Sequence, residues 1–219
     1  MTVFSVDRDG PDAVRKALVR CVRGGGVAVF PADTLYGLAC DPQDAVAIDR
    51  IHALKGRDEG RPSAVMYFSP LVMRELVGQL GPRTRAALGA LLPGPVTLVL
   101  HNPEHRYPLA CREDPERLGV RLIDGPLAGT SCPVFQTSAN RSGEPAPSRF
   151  EAIEAAILDG VDLAIDGGEL GGDPSTVVDL TMLDRDGSWR FLREGALSEA
   201  EVRNAIAVAG PRGARQYES

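Results

Sequence analysis

Two hydrophobic spacings alternate along the chain. After Asp9-Gly10-Pro11, residues Ala13, Val14, Ala17, Leu18, Cys21 and Val22 share one face of a 3.6-residue repeat that stops at Gly24-Gly25-Gly26, which predicts an amphipathic helix. A short apolar run, Val27 to Phe30, predicts a strand, and Pro31 to Leu38 reads as a loop leaving the sheet. Asp41 and Pro42 are expected to open a second helix carrying Ala45, Ile48, Ile51 and Leu54. Ser63 to Phe68 follows as a strand, then helices from Pro70 and over 82–92. Pro93-Gly94-Pro95 breaks the pattern before an apolar run, Val96 to Leu100, that reads as a central strand.

Residues 101–116 are polar and irregular, a length of loop that is usually functional or mobile. Further strands are expected at Leu118 to Ile123, Val134 to Thr137, Val161 to Ile165, Val177 to Leu180 and Trp189 to Leu192. Ser148-Arg149-Phe150-Glu151 has the form of a capping box opening a helix to about Leu158, and Ser198 to Glu201 repeats that form for a last helix to about Val208. Helices alternating with strands predict an α/β fold: an open, twisted mixed sheet flanked by helices, in one domain over 1–209, with 210–219 as a flexible tail.

Composition narrows the setting. Hydrophobic residues make up 43% and charged residues 25% of the 219, the balance of a folded globular chain. No apolar run reaches the ~18 residues of a membrane span, and Met1 to Gly10 is too acidic for a secretory signal, so a cytoplasmic protein is expected. Cys21, Cys40, Cys111 and Cys132 are scattered, as reduced thiols are. His101 and His105 are separated by Pro103, which prevents the helical face that would aim both at one metal. A net charge of −6 opposes broad, sequence-independent nucleic-acid binding but leaves room for a local basic cleft.

The candidate chemistry is cationic. Arginines number 22 and lysines two, yet Lys55 stands with Arg57 and Arg61 in seven positions at the end of the second helix. A point charge beside planar forks suits polyphosphate; a solvated turn at the negative end of a helix dipole is the alternative. Arg121, inside a strand, needs a partner, either Asp124 or a carboxylate ligand. Thr34 and Tyr36 offer hydroxyls on the loop after the first strand. Gly167, Gly168, Gly171 and Gly172 form either an anion nest or a flexible hairpin connection.

Separated segments resemble one family. Pro31-x-x-Thr34-x-Tyr36-Gly37-Leu38, Lys55-Gly56-Arg57, Ser138-Ala139-Asn140-x-Ser142-Gly143, Ser175-Thr176-Val177-Val178-Asp179 and Arg193-x-Gly195 closely resemble the YrdC-like threonylcarbamoyl-AMP synthases, in order, over about residues 10–205. Pro93-Gly94-Pro95-Val96-Thr97-Leu98 fits the same pattern. The chain resembles the short, single-domain form. This implies a YrdC/RibB-like fold with a concave basic cleft, and a nucleotidyltransferase that converts L-threonine, bicarbonate and ATP to threonylcarbamoyl-AMP and pyrophosphate for tRNA threonylcarbamoyladenosine modification.

By the same resemblance, Lys55, Arg57, Ser138 and Asn140 are the catalytic tetrad. ATP would be bound by these four with Arg61 and Arg193, and threonine by Thr34, Arg121 and Ser175. Ser138 and Asn140, two apart on an extended segment, can point the same way. ATP enters as substrate with Mg2+ carried on its phosphates, and no protein metal site is expected. Implied partners are tRNA or double-stranded RNA and the downstream threonylcarbamoyl transferase proteins. Met66, Gln136-Thr137 and Pro174 depart from the family pattern on the amino-acid side. The altered pocket around Met66 and Pro174 motivates the alternative of an RNA-binding paralogue, acting in tRNA or ribosome maturation without making the adenylate.

Overall fold

The computed structural model of the protein describes residues 1–56 and 61–209. Its strands are β1 (Thr2–Ser5), β2 (Ala28–Pro31), β3 (Tyr36–Cys40), β4 (Ala64–Tyr67), β5 (Val96–His101), β6 (Arg117–Leu122), β7 (Val134–Ser138), β8 (Leu163–Asp166), β9 (Thr176–Asp179) and β10 (Arg190–Arg193). They join in one open sheet in the order β1-β8-β2-β3-β7-β4-β6-β5-β9-β10, with parallel and antiparallel pairs mixed. The helices are α1 (Val6–Asp9), α2 (Pro11–Arg23), α3 (Ala45–Lys55), α4 (Pro70–Gly78), α5 (Pro82–Leu91), α6 (Pro108–Cys111), α7 (Ala155–Asp159), α8 (Leu183–Asp186) and α9 (Glu199–Val208). None of the described helices is long and apolar enough to cross a membrane.

Alternation of side chains along the strands divides the core between the two faces of the sheet. On one face Val65, Leu98, Val120 and Phe135 pack with Ile48 and Ile51 of α3 and Leu88 of α5. On the other, Phe30, Met66, Ile123 and Val134 pack with Val14, Leu18 and Val22 of α2. Each of these fully buried α2 side chains contributes about 1.5–3 kcal/mol of burial. Among the described residues, the second face is only partly roofed. Residues of the same alternation on β4, β5, β6 and β9, namely Ala64, Thr97, Gly119 and Val177, line an open cleft instead.

Several expectations need correction. Tyr36 to Leu38 are not loop: they open β3, antiparallel to β2, with Phe30 opposite Gly37 and only 32–35 left as the turn. Full burial removed the alternation that marks a half-exposed strand. α3 begins at Asp44, whose Oδ1 accepts from the Ala47 amide at 3.0 Å, while Asp41 shapes the turn before it. The Ser148 capping box does not form. Phe150–Ala152 is a single 3-10 turn, Ile153 is extended and buried, and Arg149 pairs with Glu169. The Ser198 box does form, with Glu201 and Ser198 exchanging both bonds. β1 and α1, hidden in a polar opening, were not anticipated from the pattern; β1 adds an edge to β8. The 101–116 segment contains α6 and is tied down by buried Asn102, which donates to the carbonyls of Arg106 and Pro115. Residues 210–219, read as a tail, lie outside the described residues.

Candidate functional site

The cleft on the unroofed part of the sheet has a volume of about 720 Å³. Thr34, Lys55, Arg61 and Arg121 line it, and so do Ser138, Asn140, Ser175 and Arg193. The sequence scatters these eight positions across 160 residues, and the fold brings them to one cavity. Arg57, the remaining predicted position, lies outside the described residues.

Lys55 reaches the cleft because α3 ends on it. Gly56 caps the helix in the left-handed region at φ 56°, and the Ser142 amide donates to the Lys55 carbonyl at 2.8 Å. The Lys55 side chain is 3% exposed. Its ammonium donates to the backbone carbonyl of Ser138, to that of Asn140 at 2.7 Å and to Asn140 Oδ1 at 3.1 Å; Ser138 Oγ stands 3.5 Å away. The Asn140 amide nitrogen in turn donates to the Arg141 and Glu144 carbonyls, which fixes its orientation. The lysine and the Ser-x-Asn segment are therefore directly bonded.

Arg121, 4% exposed, sits on β6 opposite Met66 of β4. Its partner is Asp33, not Asp124, whose Oδ1 accepts from Gly125 in its own turn. Arg193 clasps the Ser175 carbonyl with Nε and Nη2, at 3.2 and 2.7 Å, and Nη2 also reaches Ser175 Oγ at 3.2 Å. Thr97 Oγ1 is 3.1 Å from the same hydroxyl. Burial, and then the charge of Arg121, hold the Arg193 guanidinium below its ordinary pKa. Guanidinium forks, an ammonium and hydroxyls around a floor of small residues can hold an elongated anion.

Arg117 also lines this cleft and was missed, because the strand was expected to start at Leu118. Its position four residues before Arg121 on the same strand puts both on one face, a signal that alternation could have supplied. Arg117 Nη2 is 2.8 Å from Asp179 Oδ2, and Asp179 is 2% exposed. Burial alone would raise the Asp179 carboxyl, but hydrogen bonds from Thr181 and Arg190 and the charge of Arg117 bring it below its ordinary value.

Other candidates have structural uses. Tyr36 OH donates to the Gly168 carbonyl at 2.7 Å and accepts from the Gly167 amide at 2.9 Å, and burial pushes its pKa up to about 12. The glycine segment is neither a hairpin nor an open nest. It crosses from β8 to β9, which are far apart in the sheet, and its Gly172 and Leu170 amides donate to the Thr34 and Ser148 carbonyls. His101 and His105 both face Glu116, at 3.4 and 2.7 Å. Among the described residues no group of three His, Cys, Asp or Glu side chains could hold a metal. All four cysteines are free thiols, and burial raises Cys21 and Cys111 to about 11, so neither is a ready nucleophile. Of the departures from the family pattern, Gln136, Thr137 and Pro174 line the cleft; Met66 is fully buried in the core beneath.

The glycine of Arg193-x-Gly195 has a steric reason. A Cβ there would stand 2.1 Å from the Pro174 carbonyl oxygen and 2.6 Å from the Thr176 nitrogen. Gly195→Ala is expected to cost about 1–3 kcal/mol of overpacking and to displace Ser175. Urea denaturation checks this: an unchanged midpoint would show that 174–176 yields freely.

Comparison with known proteins extends these observations. A family model, Sua5_yciO_yrdC, described as telomere recombination, matches residues 20–195. A protein of Chromohalobacter salexigens named threonylcarbamoyl-AMP synthase is 34% identical over 169 residues, covering 74% of this chain and 90% of the relative. The human protein of that name is 31% identical over 208 residues, covering 90% of this chain and 72% of the relative. Among solved structures, P. abyssi Sua5 complexed with L-threonine superposes with a TM-score of 0.81 at 27% identity; 94% of this chain is covered, and it spans 61% of that longer protein. E. coli YciO superposes at 0.77 with 27% identity, covering 92% of this chain and 98% of that one. With the family match running from before Thr34 to beyond Arg193, the chain belongs to the Sua5/YciO/YrdC family.

Proposed function

We propose that the protein is an L-threonylcarbamoyladenylate synthase, a nucleotidyltransferase that converts L-threonine, bicarbonate and ATP to threonylcarbamoyl-AMP, pyrophosphate and water. The observation that carries this is the meeting of Lys55, Ser138 and Asn140 on one ammonium, in the same cleft as Arg121, Ser175 and Arg193. The names of the bacterial and human relatives support it. So does the cleft lining, where Lys55, Arg61, Arg117, Arg121 and Arg193 face the carboxylates Asp114 and Glu144, a balance suited to anionic substrates.

In this mechanism the threonine amine adds to bicarbonate carbon with loss of water, and a carbamate oxygen then attacks the α-phosphorus as pyrophosphate leaves. Nucleophile and phosphate are both anionic, so fixed positive charge is what the protein must supply, an effect typically worth several kcal/mol of barrier. Lys55, Arg57, Arg61 and Arg193, with Ser138 and Asn140, serve the nucleotide phosphates. Lys55 does so from within the wall, its charge focused through a poorly solvated site. Arg121 acts as the fork for the threonine carboxylate, with Thr34 and Ser175 completing the amino-acid side. Mg2+ would be carried with ATP, held mainly by phosphate oxygens and water, and would supply further positive charge there. The unstable product passes to threonylcarbamoyl transferase proteins acting on tRNA in the cytoplasm.

The test is release of pyrophosphate from ATP by the purified protein. Turnover should require both threonine and bicarbonate; ATP cleavage indifferent to either would sink the assignment. Steeply salt-dependent RNA binding without ATP binding would instead favour the RNA-binding paralogue.

A further inference from the structure

The Arg121–Asp33 pair is only half made. A guanidinium presents Nε and Nη2 side by side, and a carboxylate normally takes both. Here Nη2 donates to Asp33 Oδ1, while Arg121 Nε and Asp33 Oδ2 are both buried without a partner among the described residues. The two residues also face different spaces. Arg121 lines the cleft, whereas Asp33 lines a second cavity of about 340 Å³ walled by Pro93, Pro95, Ile123 and Pro126. Asp33 belongs to the turn between β2 and β3, closed by the Ala32 amide on the Leu35 carbonyl at 3.2 Å, and its side chain retains 18% exposure. Finally, Arg193 holds the Ser175 carbonyl and hydroxyl and is near enough to Arg121 for that charge, after burial, to lower its pKa, so a second guanidinium stands by the pair.

Building on the assignment of Arg121 to the amino-acid carboxylate, we propose that Asp33 is a positioning residue that acts as an internal stand-in for it. It holds Arg121 oriented and neutralised when the cleft is empty and competes with the ligand's carboxylate for the same guanidinium. Because the contact is one-point, Arg121 Nε is left for a ligand carboxylate to take before Asp33 lets go. The adjoining cavity and the partly exposed turn give the Asp33 side chain somewhere to go. The second cation, Arg193, offsets the repulsion while two carboxylates are near Arg121. Asp33 thereby sets the amino-acid affinity without touching the reacting atoms.

The competition predicts an increase in affinity where a purely structural acid would predict a loss. By calorimetry, Asp33→Asn should bind L-threonine about five- to tenfold more tightly than the unaltered protein, the factor by which a competing state that occupies Arg121 most of the time dilutes the competent one. L-threoninamide, which lacks the carboxylate charge, should change by less than about twofold. Weaker threonine binding, or equal changes for both ligands, would overturn the proposal. Should the variant fold poorly, hydrogen exchange on the unaltered protein decides: the 32–35 amides should exchange faster when the ligand saturates the cleft, and unchanged exchange rejects the idea. Acetate, titrated by NMR, separates this inference from the functional assignment. If threonine does not bind at all, the synthase reading fails, while tighter acetate binding by Asp33→Asn, absent in Arg121→Gln, still supports the stand-in and its absence refutes it.

Discussion

Lys55→Ala is expected to lower the rate of pyrophosphate release by about 10²–10³-fold, the range found when a preorganised charge or donor is removed from a transition state. The loss should fall on kcat more than on the KM for ATP. Charge builds on the departing pyrophosphate during reaction, so a fixed cation in the wall beside that build-up should do more for the transition state than for bound ATP. The ammonium also holds the Ser138 and Asn140 carbonyls together, and its removal leaves buried acceptors unpaired at a cost of about 1–3 kcal/mol. Lys55→Arg should not rescue, since a planar fork cannot place a compact charge among these oxygens. Steady-state kinetics on protein shown to be folded by circular dichroism is the check. Activity within tenfold of the unaltered protein would remove Lys55 from the mechanism.

Arg121→Gln should raise the KM for threonine by roughly 10²–10³-fold, as expected when one member of a buried, charged hydrogen-bonded pair is truncated. It also strands Asp33, whose lost partner is expected to cost up to about 3–5 kcal/mol of stability. The two effects separate in the double variant Arg121→Gln with Asp33→Asn. That protein should regain most of the stability, because no unpaired charge remains, yet keep the high KM. Chemical denaturation and threonine titrations of both variants distinguish the outcomes. If the double variant recovered threonine affinity, Arg121 would be a structural cation and the carboxylate would bind elsewhere.

Local signals specify structure where they are self-contained. The Gly10-Pro11 start and triple-glycine stop of α2, and the reciprocal Ser198–Glu201 cap of α9, depend on neighbours a few residues away. The Ser148 box carries the same letters as the Ser198 box but fails, because Ile153 and Ile157 are buried by an extended break between two short turns. Tyr36 to Cys40 was hidden for a related reason. A strand buried on both faces loses alternation, and glycine and tyrosine next to a proline look like a loop. Arg121 needs a counter-charge, for which the sequence offers nearby Asp124 or a carboxylate ligand; within the protein the partner comes instead from 88 residues upstream.

By itself the sequence determined the α/β class, the limits of α2, α5 and α9 and the residue types of a candidate phosphate- and carboxylate-binding site, because periodicity, caps and charge inside apolar runs are local properties. Tertiary structure alone decided which of these residues meet. It joined β3 to β7 so that Ser138 arrives beside Lys55, left one end of a sheet face unroofed as a cleft, and closed the Arg121 charge on Asp33. Strand order and the pairing of distant charges depend on the packing of the whole sheet, which no short stretch of chain encodes.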